Sequence, residues 1–162
     1  MVDDAVSTAI GRRHRQDPVS VRTGGPAGNA RLTSWTGLVL LVLLAVEGAT
    51  LLAIGGLLGV HILVGAVLVP LVLLKSAATG WRVLRFYGGS GDYVLAGPPP
   101  LLLRLIGPLV VVSTLAVLAT GLALVAMGSG GLDPLIAAAG ARVSMVTLHQ
   151  VTFIIWLSLI HI

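Results

Sequence analysis

No cysteine occurs anywhere in the chain. Disulfides, thiolate-bound metals and thiol catalysis are therefore excluded. Charge is nearly as scarce: 10% of the 162 residues are charged, against about 25% in a soluble domain. With 56% hydrophobic residues, the chain has too few polar groups to coat a water-facing surface, and a bilayer is its expected solvent. Aromatic residues make up only 4%, and no basic face is interleaved with them. That pattern speaks against a nucleic-acid partner despite the formal charge of +4.

What is present is mostly apolar and arrives in long runs. Residues 1–34 form a polar segment with Pro18 and Gly24-Gly25-Pro26. It lacks the apolar surface to fold alone and reads as a disordered cytoplasmic tail. The run after it is too long for a signal-peptide core and reads as a retained span. The whole of 35–162 reads as an all-α integral membrane domain, a four-helix up-and-down bundle. Its spans are expected at about 35–58, 60–79, 105–126 and 141–162, each near the roughly 20 residues that cross a bilayer core. Gly55 to Gly59 is the expected turn between the first two, and Pro70 is a tolerated kink in the second.

Basic residues set the orientation. Arg12, Arg13, Arg15, Arg22 and Arg31 lie in the tail, and Lys75, Arg82, Arg85 and Arg104 lie in or beside the central loop. Only Arg142 falls on the other side. Both termini and the central loop are therefore expected in the cytoplasm, and the bias toward Ala, Gly, Val, Leu and Arg with a single lysine suggests a bacterial source, so the protein is expected to be multi-pass in a bacterial plasma membrane. Trp35, Trp81, Phe86 and Tyr87 form the matching interfacial belt. The last span ends at His161-Ile162 without an anchor, so the chain reads as truncated at its C-terminus.

Polar groups at membrane depth are costly, so each is a functional candidate. They are His61, His149, His161, Glu47 and Lys75, with Ser113, Thr114 and Thr120. On the expected topology His61 lies about one turn, and His149 about two turns, below the outer face, a difference of about 5 to 6 Å. Two imidazoles at one depth on different helices can fill both axial positions of a haem. Gly65, one turn after His61, would leave room for a macrocycle, and Phe153 and Trp156 line the face of His149. Each of these has an ordinary structural reading too: an interfacial hydrogen-bonding histidine, or a packing aromatic. Met145 is an alternative axial ligand, one turn before His149. His161 lies about 18 Å deeper and rotated from His149, and it is a metal ligand only with a partner beyond the visible helices. Glu47, in mid-span, is expected to be neutral or paired with Lys75, or hydrogen-bonded to Thr114. Arg82, Arg85 and Arg104 are expected to meet lipid phosphates, or else haem propionates. The glycine-rich stretch Gly88 to Gly91 has no Walker lysine and is not a nucleotide loop.

The run His61, Pro70, Lys75, Gly80-Trp81-Arg82, Arg85-Phe86-Tyr87, Gly97-Pro98-Pro99, Arg104 and Pro108 resembles small actinobacterial membrane proteins of the cytochrome b type. Leu148-His149 with Phe153, Trp156 and His161 is similar to the last helix of that group. The wider superfamily holds the haem-b membrane subunits of formate dehydrogenases and hydrogenases, and ferric-reductase-like proteins. The further C-terminal histidines usual there are absent. The resemblance implies bis-histidine haem b, with His61, His149, Gly65 and Arg82 about it and a second haem undetermined. It implies an electron-transfer subunit rather than a stand-alone enzyme, serving a redox partner protein or quinone, in a homo- or hetero-oligomer. Two other readings stay open: a haem-free anchor or assembly subunit, and a small transporter built on Glu47 and Lys75.

Overall fold

The computed structural model describes residues 24–97, 101–129, 134–138 and 141–161, and the single positions 3, 6 and 19. The chain divides into two compact units, Met1–Pro99 and Pro100–Ile162.

The first unit is a helical hairpin. Its first arm, α1, spans Gly25–Thr50, 26 residues. Gly24 supplies the left-handed start at φ +69°, where a Cβ would meet the Gly28 backbone at 3.0 Å. Pro26 sits in the first turn, where its missing N–H costs nothing. Residues 25–34 are thus helix, not the disordered tail expected of them. Bonds to the other arm hold this polar stretch in place: Asn29 Nδ2 donates to Ala78 O (2.8 Å) and Lys75 Nζ to Thr33 O (2.8 Å). The remainder of the expected tail lies almost entirely outside the described residues.

A one-turn 3₁₀ segment, Leu51–Ala53, closes the hairpin, and Ala53 leaves the helical region at φ −144°, ψ 46°. The second arm, α2, runs over Ile54–Tyr87, 34 residues with Pro70 inside. The expected turn at Gly55 to Gly59 is therefore helix interior. Glycine is tolerated in membrane helices, and the tip is set instead by the contacts of Thr50 and Glu47 with His61 described below. Partner residues descend on one arm as they ascend on the other, so the arms are antiparallel. The helix α2 stops at Gly88-Gly89, with Gly89 at φ +74° and Ser90 N–H bonded to Arg85 O (3.0 Å). A short helix, α3 (Gly91–Leu95), folds back and buries Tyr93. Most of the segment expected as a loop between spans is helical.

The second unit pairs α4 (Leu101–Met127), which contains Pro108, with α5 (Met145–Ile160). Between them lie two antiparallel strands, β1 (Pro134–Ala138) and β2 (Ala141–Ser144), in register Ala138↔Ala141 and Ala137↔Arg142 with an irregularity between Pro134 and Ile136. The expected fourth span, 141–162, is shortened at its start because residues 141–144 are strand. Ser144 then caps α5, its hydroxyl accepting from Thr147 N–H at 3.2 Å. At 16 residues, about 24 Å, α5 falls short of the length that crosses a bilayer core alone.

The described elements are helical apart from that strand pair. Two helical segments are long and apolar enough to cross a membrane, Gly25–Tyr87 and Arg104–Met127. In their most apolar windows only 11% and 6% of residues are buried, whereas a soluble core helix is mostly buried. Side chains such as Leu52, Leu63, Leu84 and Leu105 turn outward, at 90%, 66%, 70% and 66% exposure. Such a surface is compatible with contact with lipid.

Candidate functional site: two anchored histidines

In the hairpin unit, His61 lies two turns into α2 and faces the end of α1. Its Nδ1 is 2.8 Å from Thr50 Oγ1 and 3.2 Å from Glu47 Oε1. The hydroxyl of Thr50 has one proton, and it goes to Glu47 O at 2.6 Å. Toward the imidazole, Thr50 can therefore only accept. The Thr50 contact places the proton on Nδ1, which leaves the lone pair on Nε2.

The second unit repeats the arrangement. His149 Nδ1 lies 2.9 Å from Thr120 Oγ1 across the α4–α5 pair. The Thr120 hydroxyl donates to Ala116 O at 2.8 Å, as a threonine one turn along a helix commonly does. It therefore accepts from the ring, and the proton is again on Nδ1. Thr152 braces the same spot, donating to His149 O (2.9 Å) and lying 3.2 Å from Thr120 Oγ1. One turn further, Trp156 Nε1 donates to Thr114 Oγ1 at 2.9 Å, and Phe153 packs beside Trp156 with ring centroids 6.0 Å apart.

Three of the polar side chains sit over glycines. A Cβ at Gly65 would lie 3.3 Å from Glu47 Oε1, one at Gly121 3.2 Å from His149 Cε1, and one at Gly37 2.8 Å from Lys75 Nζ. Gly65, expected beside a macrocycle, gives its space to the Glu47 carboxylate. The roles of Thr50, Thr120 and Gly121 were not apparent from sequence, because a threonine eleven or twenty-nine residues from a histidine carries no periodic signal.

Glu47 and Lys75 do not pair. Glu47 reaches His61, one turn from the hairpin tip rather than at mid-span, while Lys75 binds Thr33 O far along the same arm. The 14 residues from Thr33 to Glu47 span about 21 Å of helix. The Glu47–Lys75 transporter site therefore has no geometric basis. Thr114 is engaged by Trp156 within its own unit. Glu47 Oε2 is buried without a hydrogen-bond partner among the described residues. Arg82 follows His61 by 21 residues on one helix, about 31 Å, so it cannot touch a group that His61 holds. His161 is exposed and folds back on its own helix, Nδ1 lying 2.6 Å from Leu157 O. Among the described residues no cluster of three or more His, Asp or Glu could enclose a metal ion. A haem asks only for two axial donors, and imidazoles fixed through Nδ1 are the donor type it takes. No known protein family, curated protein or solved structure matches the chain.

Proposed function

We propose that this chain is a multi-pass protein of a bacterial plasma membrane that binds haem b and passes electrons to a redox partner protein or a quinone. The observation that carries this reading is the common anchoring of His61 and His149 through Nδ1. Each ring is tethered through Nδ1 to a threonine of the neighbouring helix. Iron-ligating histidines are oriented in this way: the distal nitrogen is fixed by a hydrogen bond, and Nε2 is the donor. That both ligate one iron is itself part of the proposal, and the spectra of the single variants test it. Haem, when bound, supplies a centre that takes up and releases one electron. The protein's share is to hold the two imidazoles in one tautomer, to surround them with apolar helix, and to set their orientation through Thr50, Glu47 and Thr120.

An absorption spectrum of the purified full chain tests this directly. Low-spin haem bands should appear in the wild type. They should vanish in His61→Ala and in His149→Ala and survive in His161→Ala, whose ring caps its own helix. A six-coordinate spectrum unchanged in His149→Ala would refute the assignment. Absence of haem from protein produced with haem in excess would leave the anchor-subunit reading in its place.

A further inference from the structure

The helix α5 carries polar residues on two faces, and only one of them meets α4. His149 and Thr152 meet Thr120 of α4, and Trp156 meets Thr114. On the other side Thr147, Gln150, Ile154, Leu157 and the capping His161 are all exposed. At 3.6 residues per turn this second row lies about 150° round the helix from the first. Its members follow one another at three, four, three and four residues. That is the heptad period of a seam along which two helices pack. Ile154, in the middle of the row, is 60% exposed, more than any other large hydrophobic side chain described on α5.

Two polar members of the row make local contacts. Thr147 Oγ1 lies 3.1 Å from Ser144 Oγ, and His161 Nδ1 lies 2.6 Å from Leu157 O. Gln150 does not: its amide makes no hydrogen bond among the described residues. It stands five residues into α5, about 7 to 8 Å along the helix. Hydrocarbon offers an amide neither donor nor acceptor, so an amide on a membrane helix belongs against another helix. Two copies inserted with the same topology run parallel. A two-fold axis along the bilayer normal then sets each residue of the row against its own counterpart, at its own depth. An amide suits that arrangement, because it both donates and accepts and so pairs with a second amide. A lone carboxylate or ammonium would need a partner of different chemistry.

We propose that the chain forms a parallel dimer along this seam of α5, its register fixed by the Gln150 amide of one copy on that of the other. Thr147, a small residue, lets the two backbones approach, and Ile154 and Leu157 fill the seam between. The dimer rests on α5 lying in the bilayer and is independent of the haem reading.

The chain has no cysteine, so single cysteines in the full chain report the seam in cell membranes. Ile154→Cys should oxidise to a covalent dimer. Leu148→Cys and Ile155→Cys, at 39% and 51% exposed positions off the seam, should stay largely monomeric. Gln150→Leu, which only eases insertion, should lower the dimerisation constant about three- to thirtyfold, the range for hydrogen bonds between membrane helices. Energy transfer between copies fused to two fluorescent proteins, followed as liposomes are diluted with lipid, measures that constant. Gln150→Asn keeps an amide and should keep most of the affinity, which separates the amide pair from apolar packing. Equal cross-linking at all three cysteines would mean random collision and overturn the seam. No cross-linking at Ile154→Cys would overturn it too, a different partner then covering this face. An undiminished constant in Gln150→Leu would overturn the amide pair. None of these readouts needs haem, so their failure and that of the haem spectra are distinguishable.

Discussion

At the scale of single residues, the proton on a threonine hydroxyl decides most of the chemistry. Thr50 and Thr120 each donate to a carbonyl of their own helix and so can only accept from a histidine. Removing that acceptor frees the ring to rotate and to exchange tautomers. Thr120→Val should therefore weaken haem retention by roughly 10- to 100-fold, the usual cost of losing a ligand's outer hydrogen bond. Titration of the apoprotein with haem measures it, and unchanged retention would show that Thr120 orients nothing. The glycines make a sharper comparison. A methyl at Gly121 meets a ring carbon at 3.2 Å, while a methyl at Gly37 meets the far end of a lysine at 2.8 Å. The flexible lysine stem lets Nζ shift slightly and stay within reach of Thr33 O, but the rigid imidazole cannot move without leaving Thr120. Gly121→Ala should thus disturb the His149 signal in an NMR or haem spectrum, and Gly37→Ala should leave spectrum and stability near those of wild type.

At the scale of elements, the position of the hairpin tip governs which side chains meet. Closure at Leu51–Ala53 sets Asn29 against Ala78 and Thr33 against Lys75. A tip at Gly55 to Gly59 would have slid α2 by about two turns and placed Asn29 opposite the region of Arg85. The chain has no cysteine of its own, so paired cysteines read the register without background. Asn29→Cys with Ala78→Cys should cross-link under mild oxidation, and Asn29→Cys with Arg85→Cys should not. The reverse result would reinstate the later turn. The start of α5 is a separate matter, because Ser144 provides the only side-chain cap among the described helix starts. Ser144→Ala should cost about 1 kcal/mol of stability, measured as a lower thermal midpoint in detergent, with the α1–α2 hairpin unaffected.

At the scale of the whole molecule, solvent is what matters. Apolar helices whose windows are almost unburied leave their side chains for lipid to cover. If both termini are cytoplasmic, as proposed from the arginine and lysine distribution, a reporter fused after Ile162 should be active in the cytoplasm. One inserted between Gly128 and Pro134 should be active outside. A thiol introduced at Ser90 should be labelled only from the cytoplasmic face. Labelling of Ser90 from outside would invert the depth of every polar group.

How much of this was legible beforehand differs by kind. The sequence by itself determined that the chain is mostly helical and carries helices long and apolar enough to cross a membrane, because apolarity sums along the chain and needs no partner to be read. It also singled out His61, His149 and Glu47, because an ionisable residue in an apolar run is conspicuous whatever it touches. The helix starting at Gly25 was obscured by polar residues, and its signal was Pro26 in the first turn rather than periodicity. Only the tertiary structure decided that Glu47 belongs to His61 and Lys75 to Thr33, and that Thr120 anchors His149. Those pairings depend on where a three-residue tip falls and on how two helices slide against each other. In a run of nearly uniform apolar residues, several registers bury similar surface. The few polar contacts between the arms then select one of them, and that choice is written in no local pattern.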